Sequence, residues 1–231
     1  MADLLMAANG DLGKEPKAVL QEAWLCKHKE QMDSGFIYPA FLETNIPPIF
    51  VKLMKGGSQP VGLSLNEIVQ LGNQVQFSHL SSTAVQNWVK RDVKELIGTP
   101  RQGKKYAVEQ AATLFIVEDL KASLDFDSIR RILKLVFNNP SDHSDDIVDP
   151  LQLYAAYGAI FDELVHLEYE NIEKLVQERV RMKLRIFPSL SMENQKMVEH
   201  VMATAVFTVF SARYQSLVKK HLTATLFLQG F

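Results

Sequence analysis

Between Ser81 and Lys105 the chain sets six cations (Lys90, Arg91, Lys94, Arg101, Lys104, Lys105) against two acids (Asp92, Glu95), a local excess of four positive charges. From Tyr106 to Asp149 four cations meet nine acids, so the positive charge is segregated and not merely abundant. Residues 81–91, SSTAVQNWVKR, have the pattern of a short helix with Ser81 or Ser82 as its cap. Helical spacing turns Ala84, Val85, Trp88 and Val89 inward. Thr83, Gln86, Asn87, Lys90 and Arg91 are then left on the outer face, with Ser82 at its start. Threonine, glutamine and asparagine can read base edges in a major groove, while lysine and arginine neutralise phosphates. The chemistry suggested is duplex DNA recognition. A solvated helix beside a charged turn would give the same composition.

Other constellations are thinner. Glu163 and His166 have the i, i+3 spacing used in di-iron bundles, with Glu170 one turn on, but no second Glu-x-x-His accompanies them. An ordinary surface pair explains them. Asp142, Asp145, Asp146 and Asp149 form an acidic loop without the spacing of a calcium loop. The single cysteine, Cys26, has no partner for an internal disulfide and fits a reducing compartment. Phosphate-binding glycine loops, a nucleophile elbow and zinc spacings are absent from the sequence. No catalytic residue, metal or cofactor is expected, and the chain does not read as an enzyme.

The elements that would position the polar helix come next. Residues 1–60 read as a leader: a helix over Glu15–Gln31 carrying Trp24 and Cys26, then a proline-rich extended stretch, then a Gly56–Pro60 boundary. Leu65–Val75 has a helical apolar face through Leu65, Ile68 and Val69. Val93–Ile97 is rich in β-branched and apolar residues and is followed by Gly98-Thr99-Pro100-Arg101-Gln102-Gly103, so a hairpin with Lys104–Tyr106 as return strand is expected. An apolar helix follows from Val108, and Asp125 opens another, with Leu124 and Ile129 placed as a hydrophobic staple. Asp149-Pro150 marks a further start. From there to Ile186 no proline intervenes, and one helix of that length would span roughly 55 Å. A last apolar helix is expected from Ser189 or Ser191 to about Lys220.

Helix, turn, short capped helix and basic Gly-containing hairpin, in that order, form the plan of a winged helix-turn-helix. Residues 63–137 resemble the MerR-type winged-helix domain. The matching parts are the Leu65–Val75 and Ser81–Arg91 helices, the stretch RQGKKY from Arg101, LFIVEDL from Leu114, and SLDFDSIRRIL from Ser123. With NWVKRDV from Asn87 and the helices downstream, the chain is more closely similar to a largely uncharacterised bacterial MerR-like domain-of-unknown-function family, DUF1836. The sequence departs from the MerR pattern in carrying about sixty residues before the domain, and in placing Gln86-Asn87-Trp88-Val89 where that family has Arg-Tyr-Tyr-Glu.

The resulting expectation is a mostly α protein. It has a leader (1–60), a winged helix-turn-helix domain with a small β-hairpin wing (61–138), and a long-helix dimerisation region (149–231). It would bind double-stranded DNA as a homodimer joined through residues 150–220 and regulate transcription. Ser82, Thr83, Gln86, Asn87 and Lys90 would lie at the groove, with Arg91, Arg101, Lys104 and Lys105 on phosphates. A small apolar effector is a candidate ligand of the C-terminal helices. The alternative is a non-catalytic adaptor whose winged helix binds protein. With 231 residues, 47% hydrophobic, 23% charged and a net charge of -2, the chain can bury a sizeable core and carries no uniform basic coat. It has neither a secretory leader nor a run long enough to span a membrane, so a cytoplasmic location is expected.

Overall fold

The structure, a computed structural model, describes residues 1–9, 16–20, 22, 47–54, 61–75, 77–139 and 145–229. Of the helix expected over 15–31, residues 16–20 and 22 are described and helical, and Val19 and Leu20 pack against the core. Trp24, Cys26, the Gly56–Pro60 boundary and Asp142 lie outside the described residues.

The helices are α1 (Ala2–Asn9), α2 (Pro48–Met54), α3 (Leu65–Gly72), α4 (Ser82–Asn87), α5 (Lys94–Ile97), α6 (Val108–Lys121), α7 (Phe126–Leu133), α8 (Pro150–Leu164), α9 (Ile172–Lys183) and α10 (Met192–Leu228). Helix α6 is the hub. Apolar residues occupy nearly its whole circumference, Ala111, Leu114 and Val117 have no exposed surface, and it packs against α5, α7, α8 and α10. An all-round apolar helix is stable in water only when neighbours enclose it. Here α8 and α10 do so with Tyr154 against Phe115 (ring centroids 5.8 Å) and Phe161 against Phe210 (4.9 Å).

Starts are fixed by caps at most of the expected places. Ser81 accepts from Ala84 N–H (3.1 Å), Asp125 from Ser128 (2.7 Å), Asp149 from Leu151 and Gln152 (both 2.9 Å), and Ser191 from Asn194 (3.2 Å). Each satisfies a donor that the first turn leaves unpaired. Ser64 and Glu67 form a full capping box on α3, and Lys52 of α2 donates to the same Glu67 at 2.6 Å.

Two expectations are overturned. The described residues contain no β-strand, so there is no hairpin wing and the chain is not a winged helix-turn-helix. Val93–Ile97 closes as a helical turn, Gln102 and Lys105 pair as an isolated bridge around Gly103 (φ 65°), and Tyr106 pairs alone with Leu63. A strand needs a neighbour along its length, and the flanks of this loop are drawn into α5 and α6 instead. Nine residues, Asn73–Ser81, separate α3 from α4, more than the three or four of a helix-turn-helix turn. Asn73 clamps that loop, accepting from Leu80 N–H (2.8 Å) and donating to Leu80 C=O (3.0 Å). Phe77 adopts φ 67° within it and stacks edge-on against Phe161 at 6.3 Å. A bulky side chain rarely occupies that left-handed region.

The helix expected from Pro150 to Ile186 is also broken. Helix α8 stops at Leu164, and Asn171, in an extended conformation, caps α9 by accepting from Lys174 N–H (3.0 Å). Arg213 donates to the Val165 carbonyl at the break, and Arg179 pairs with Glu163 across it at 2.7 Å. The long helix is α10, at 37 residues.

Candidate nucleic-acid interface

Helix α4 is held by one face. Val85, Trp88 and Val89 are buried, and Trp88 meets Phe126 edge-on (6.1 Å) with the Lys121 ammonium 4.9 Å from its centroid. After Asn87 the helix loosens into a π turn, Trp88–Asp92, closed by Val93 N–H donating to Trp88 C=O at 3.0 Å. Such single wide turns recur at functional sites. Thr83, Gln86, Asn87 and Lys90 are all exposed, and none has a side-chain partner among the described residues. Ser82 is placed differently. It is half-buried and donates to Asn66 Oδ1 at 3.2 Å, tying α4 to the first turn of α3.

The basic turn lies at that same end of α3. Tyr106 and Leu63 exchange backbone hydrogen bonds, both 2.8 Å. Gly62 lets the turn close in, because a Cβ there would sit 2.9 Å from Gln102 Cβ and 3.0 Å from Lys105 Cβ. The Ser82 end of α4 and the Lys104–Lys105 turn thus both converge on residues 62–66. Lys104 and Lys105 are exposed and form no ion pair among the described residues. Arg101 faces the other way, 3.6 Å from Glu109, whose second oxygen accepts from Asn9 of α1 (3.2 Å).

One buried side chain holds this loop, and composition did not reveal it. Gln110 donates to the carbonyls of Ile97 (2.6 Å) and Thr99 (2.8 Å) and accepts from the N–H groups of Ala107 (3.0 Å) and Arg101 (3.3 Å). The sequence signal was its place at the third residue of α6, where a glutamine reaches back to the cap position.

At the far end of the π turn, Arg91, Asp92, Lys94, Glu95 and Arg130 line an open cleft. Arg91 is exposed and bound to Asp92 (2.8 Å), an interaction that holds its guanidinium further toward the charged form. Arg130 donates to the Asp92 carbonyl and to Asp127. It also pairs with Glu95 at 3.4 Å, and Lys134 meets the other Glu95 oxygen at 2.6 Å. Helix α7 therefore neutralises the acid that would interrupt the positive face. Sequence gave no sign of this, since Glu95 and Lys134 are 39 residues apart.

The other constellations are dispersed. Glu163 is engaged by Arg179, and His166 lies in the turn beyond α8, so the two do not share a helical face. Asp145 and Asp146 accept from the Asn139 and Asn138 N–H groups (3.2 and 2.6 Å). Among the described residues no three His, Cys, Asp or Glu side chains converge as a metal site.

The polar helix face and the basic turn, set on an enclosed helical core, fall within one segment matched by a family model. Residues 45–157 match the family described as Domain of unknown function (DUF1836), and every residue of the interface is inside that span. The uncharacterized protein YkrK of Bacillus subtilis (strain 168) is 39% identical over 164 residues, covering 69% of this chain and 70% of that protein. The chain belongs to the DUF1836 family. No solved structure matches it. Among the described residues no helix is long and apolar enough to cross a membrane.

Proposed function

We propose that the protein binds duplex DNA and regulates transcription. The outer face of α4 (Thr83, Gln86, Asn87, Lys90) would lie at base edges, with Arg91, Lys104 and Lys105 on phosphates. The observation that carries this reading is the pairing of two unsatisfied surfaces on one support. A row of exposed polar side chains on α4, without partners among the described residues, stands beside two exposed lysines without counter-ions among them, both anchored at the start of α3. Arg101 and Ser82 serve as supports here, through Glu109 and Asn66.

The mixed-sign cleft at Arg91, Asp92, Lys94, Glu95 and Arg130 favours a second reading, a protein partner of an adaptor. Selection of genomic fragments by the purified protein, followed by salt titration, separates the two. If Lys90, Arg91, Lys104 and Lys105 each neutralise one phosphate, log K falls with log salt at a slope of about -3.6 per protomer, and Lys104→Glu/Lys105→Glu removes about half of it. Failure to enrich any fragment at low salt would discard the DNA reading in favour of the adaptor.

A further inference from the structure

We infer that the C-terminal half of α10 is a coiled-coil seam for a second copy of this chain. In its first half α10 is enclosed: Val198, Val201, Met202, Ala205 and Val206 are buried among the other helices. At Phe210 it still rests on Phe161 and Tyr169 (ring centroids 4.9 and 6.4 Å), and the Tyr214 hydroxyl meets that of Tyr169 at 3.2 Å. Beyond Tyr214 the helix continues to Leu228 with nearly every residue exposed, among them Leu217 (40%), Val218 (67%) and Leu222 (56%). An isolated helix of that length is marginal in water, and most helical stability comes from packing an apolar face.

The spacing identifies the occupant. Phe207 and Phe210, which pack on this chain's own core, lead into Tyr214, Leu217, His221, Ala224 and Leu228, which continue the alternating steps of three and four, the period of helices that supercoil about one another. Lys219 falls on the far side of the helix and Lys220 flanks the stripe. The stripe positions themselves hold no Lys, Arg, Asp or Glu, so they present no fixed charge for an oppositely charged partner to match. A neutral apolar stripe is complementary to itself across a two-fold axis. On the stripe Tyr214, Leu217 and Leu228, and at its edge Val218, are 50%, 40%, 80% and 67% exposed, a contiguous apolar face of the kind that marks an interaction surface. Arg213 and Lys220 can lay their apolar stems along the edge of such a seam.

The inference does not depend on DNA binding, because the test contains no DNA. Sedimentation equilibrium of the full chain from about 1 to 100 µM is expected to give twice the 26.1 kDa chain mass. Leu217→Glu/Leu228→Glu, at positions exposed in the single chain, should keep the helical circular dichroism and weaken association at least tenfold. Lys219→Glu should leave association unchanged. His221→Leu, which replaces the one histidine in the stripe, should tighten it several-fold, as removal of a polar seam residue does. A wild-type monomer at about 100 µM would refute the inference, as would a dimer indifferent to the double substitution. So would a monomer that sediments with anionic phospholipid vesicles, since a lipid surface would then be the occupant.

Discussion

Replacing Gln110 by leucine tests whether one side chain holds the arch that carries the basic turn. Leucine is similar in size, so the cavity term is small, and the loss falls on four hydrogen bonds. The four backbone groups released are not equivalent. Thr99 is exposed and Arg101 half-exposed, so water can replace glutamine there at little cost. Ile97 and Ala107 are buried, with 1% and 6% of their surface accessible, and their carbonyl and N–H become unsatisfied groups. At about 1–3 kcal/mol for each buried orphan, Gln110→Leu should destabilise the protein by roughly 2–6 kcal/mol. The assay is urea denaturation followed by circular dichroism. The midpoint should fall with an unchanged slope, and amide exchange should quicken across residues 97–107. Gln110→Glu gives a sharper control. An ionised carboxylate accepts from Ala107 and Arg101 but cannot donate to Ile97 and Thr99, so this variant should be weak at neutral pH and recover as the acid is protonated. A loss below about 0.5 kcal/mol for Gln110→Leu, with exchange at 97–107 unchanged, would refute the reasoning.

Three further outcomes follow from the packing. Gly72→Ala places a methyl 2.2 Å from Leu80 Cδ1 and 3.0 Å from Phe115 Cε1, both in the core, and should cost about 1–3 kcal/mol in the same denaturation assay. Burial pushes the Asp119 carboxyl up to about 7 even though the Tyr157 hydroxyl donates to it at 2.6 Å, with the nearby Glu118 charge adding to the rise. The folded state therefore holds this proton more tightly than the unfolded chain, and the contribution to stability is full below about 4 and lost as pH rises through about 7. Asp119→Asn keeps an acceptor for Tyr157 and should flatten the stability–pH curve between those limits. Glu67 behaves oppositely. Burial would raise its carboxyl, but the Lys52 ammonium and the Ser64 donors outweigh that and hold it at about 2. Its stabilising contribution is present above about 4.5 and fades as pH falls toward 2, and Lys52→Met should move that loss to higher pH, measured by acid titration of the helical signal.

Much of the local structure was legible because it rests on short-range rules. Ser81, Asp125, Asp149 and Ser191 cap helices as their side chains predict, and Val85, Trp88 and Val89 face inward by spacing alone. What failed depended on neighbours distant in sequence. The apolar run Val93–Ile97 reads equally as strand or helix, and the four groups gathered by Gln110 decided it for the helical turn. The break after Leu164 has no proline to announce it, and its stabilisers, Arg179 and Arg213, arrive from later helices. The candidate interface was half visible for the same reason. Its outer face was a matter of spacing, while the neutralisation of Glu95 by α7 was a matter of tertiary contact.

The π turn has a consequence for insertions and deletions. A continuing 3.6-residue phase from Val85, Trp88 and Val89 would carry Asp92 into the core and leave Val93 at the edge of the buried face. One surplus residue reverses that outcome: Val93 has no exposed surface and Asp92 stays at the rim. The surplus is accommodated as a wider loop of backbone, so three polar residues, Lys90, Arg91 and Asp92, occupy an arc where a regular turn would hold two. A variant shortened by one residue at Lys90 or Arg91 would restore the common helical frame and keep every apolar side chain in register. It would lose only the additional cationic position. Such a deletion would separate the folding role of this segment from its surface chemistry by changing chain length, with no substitution in the core.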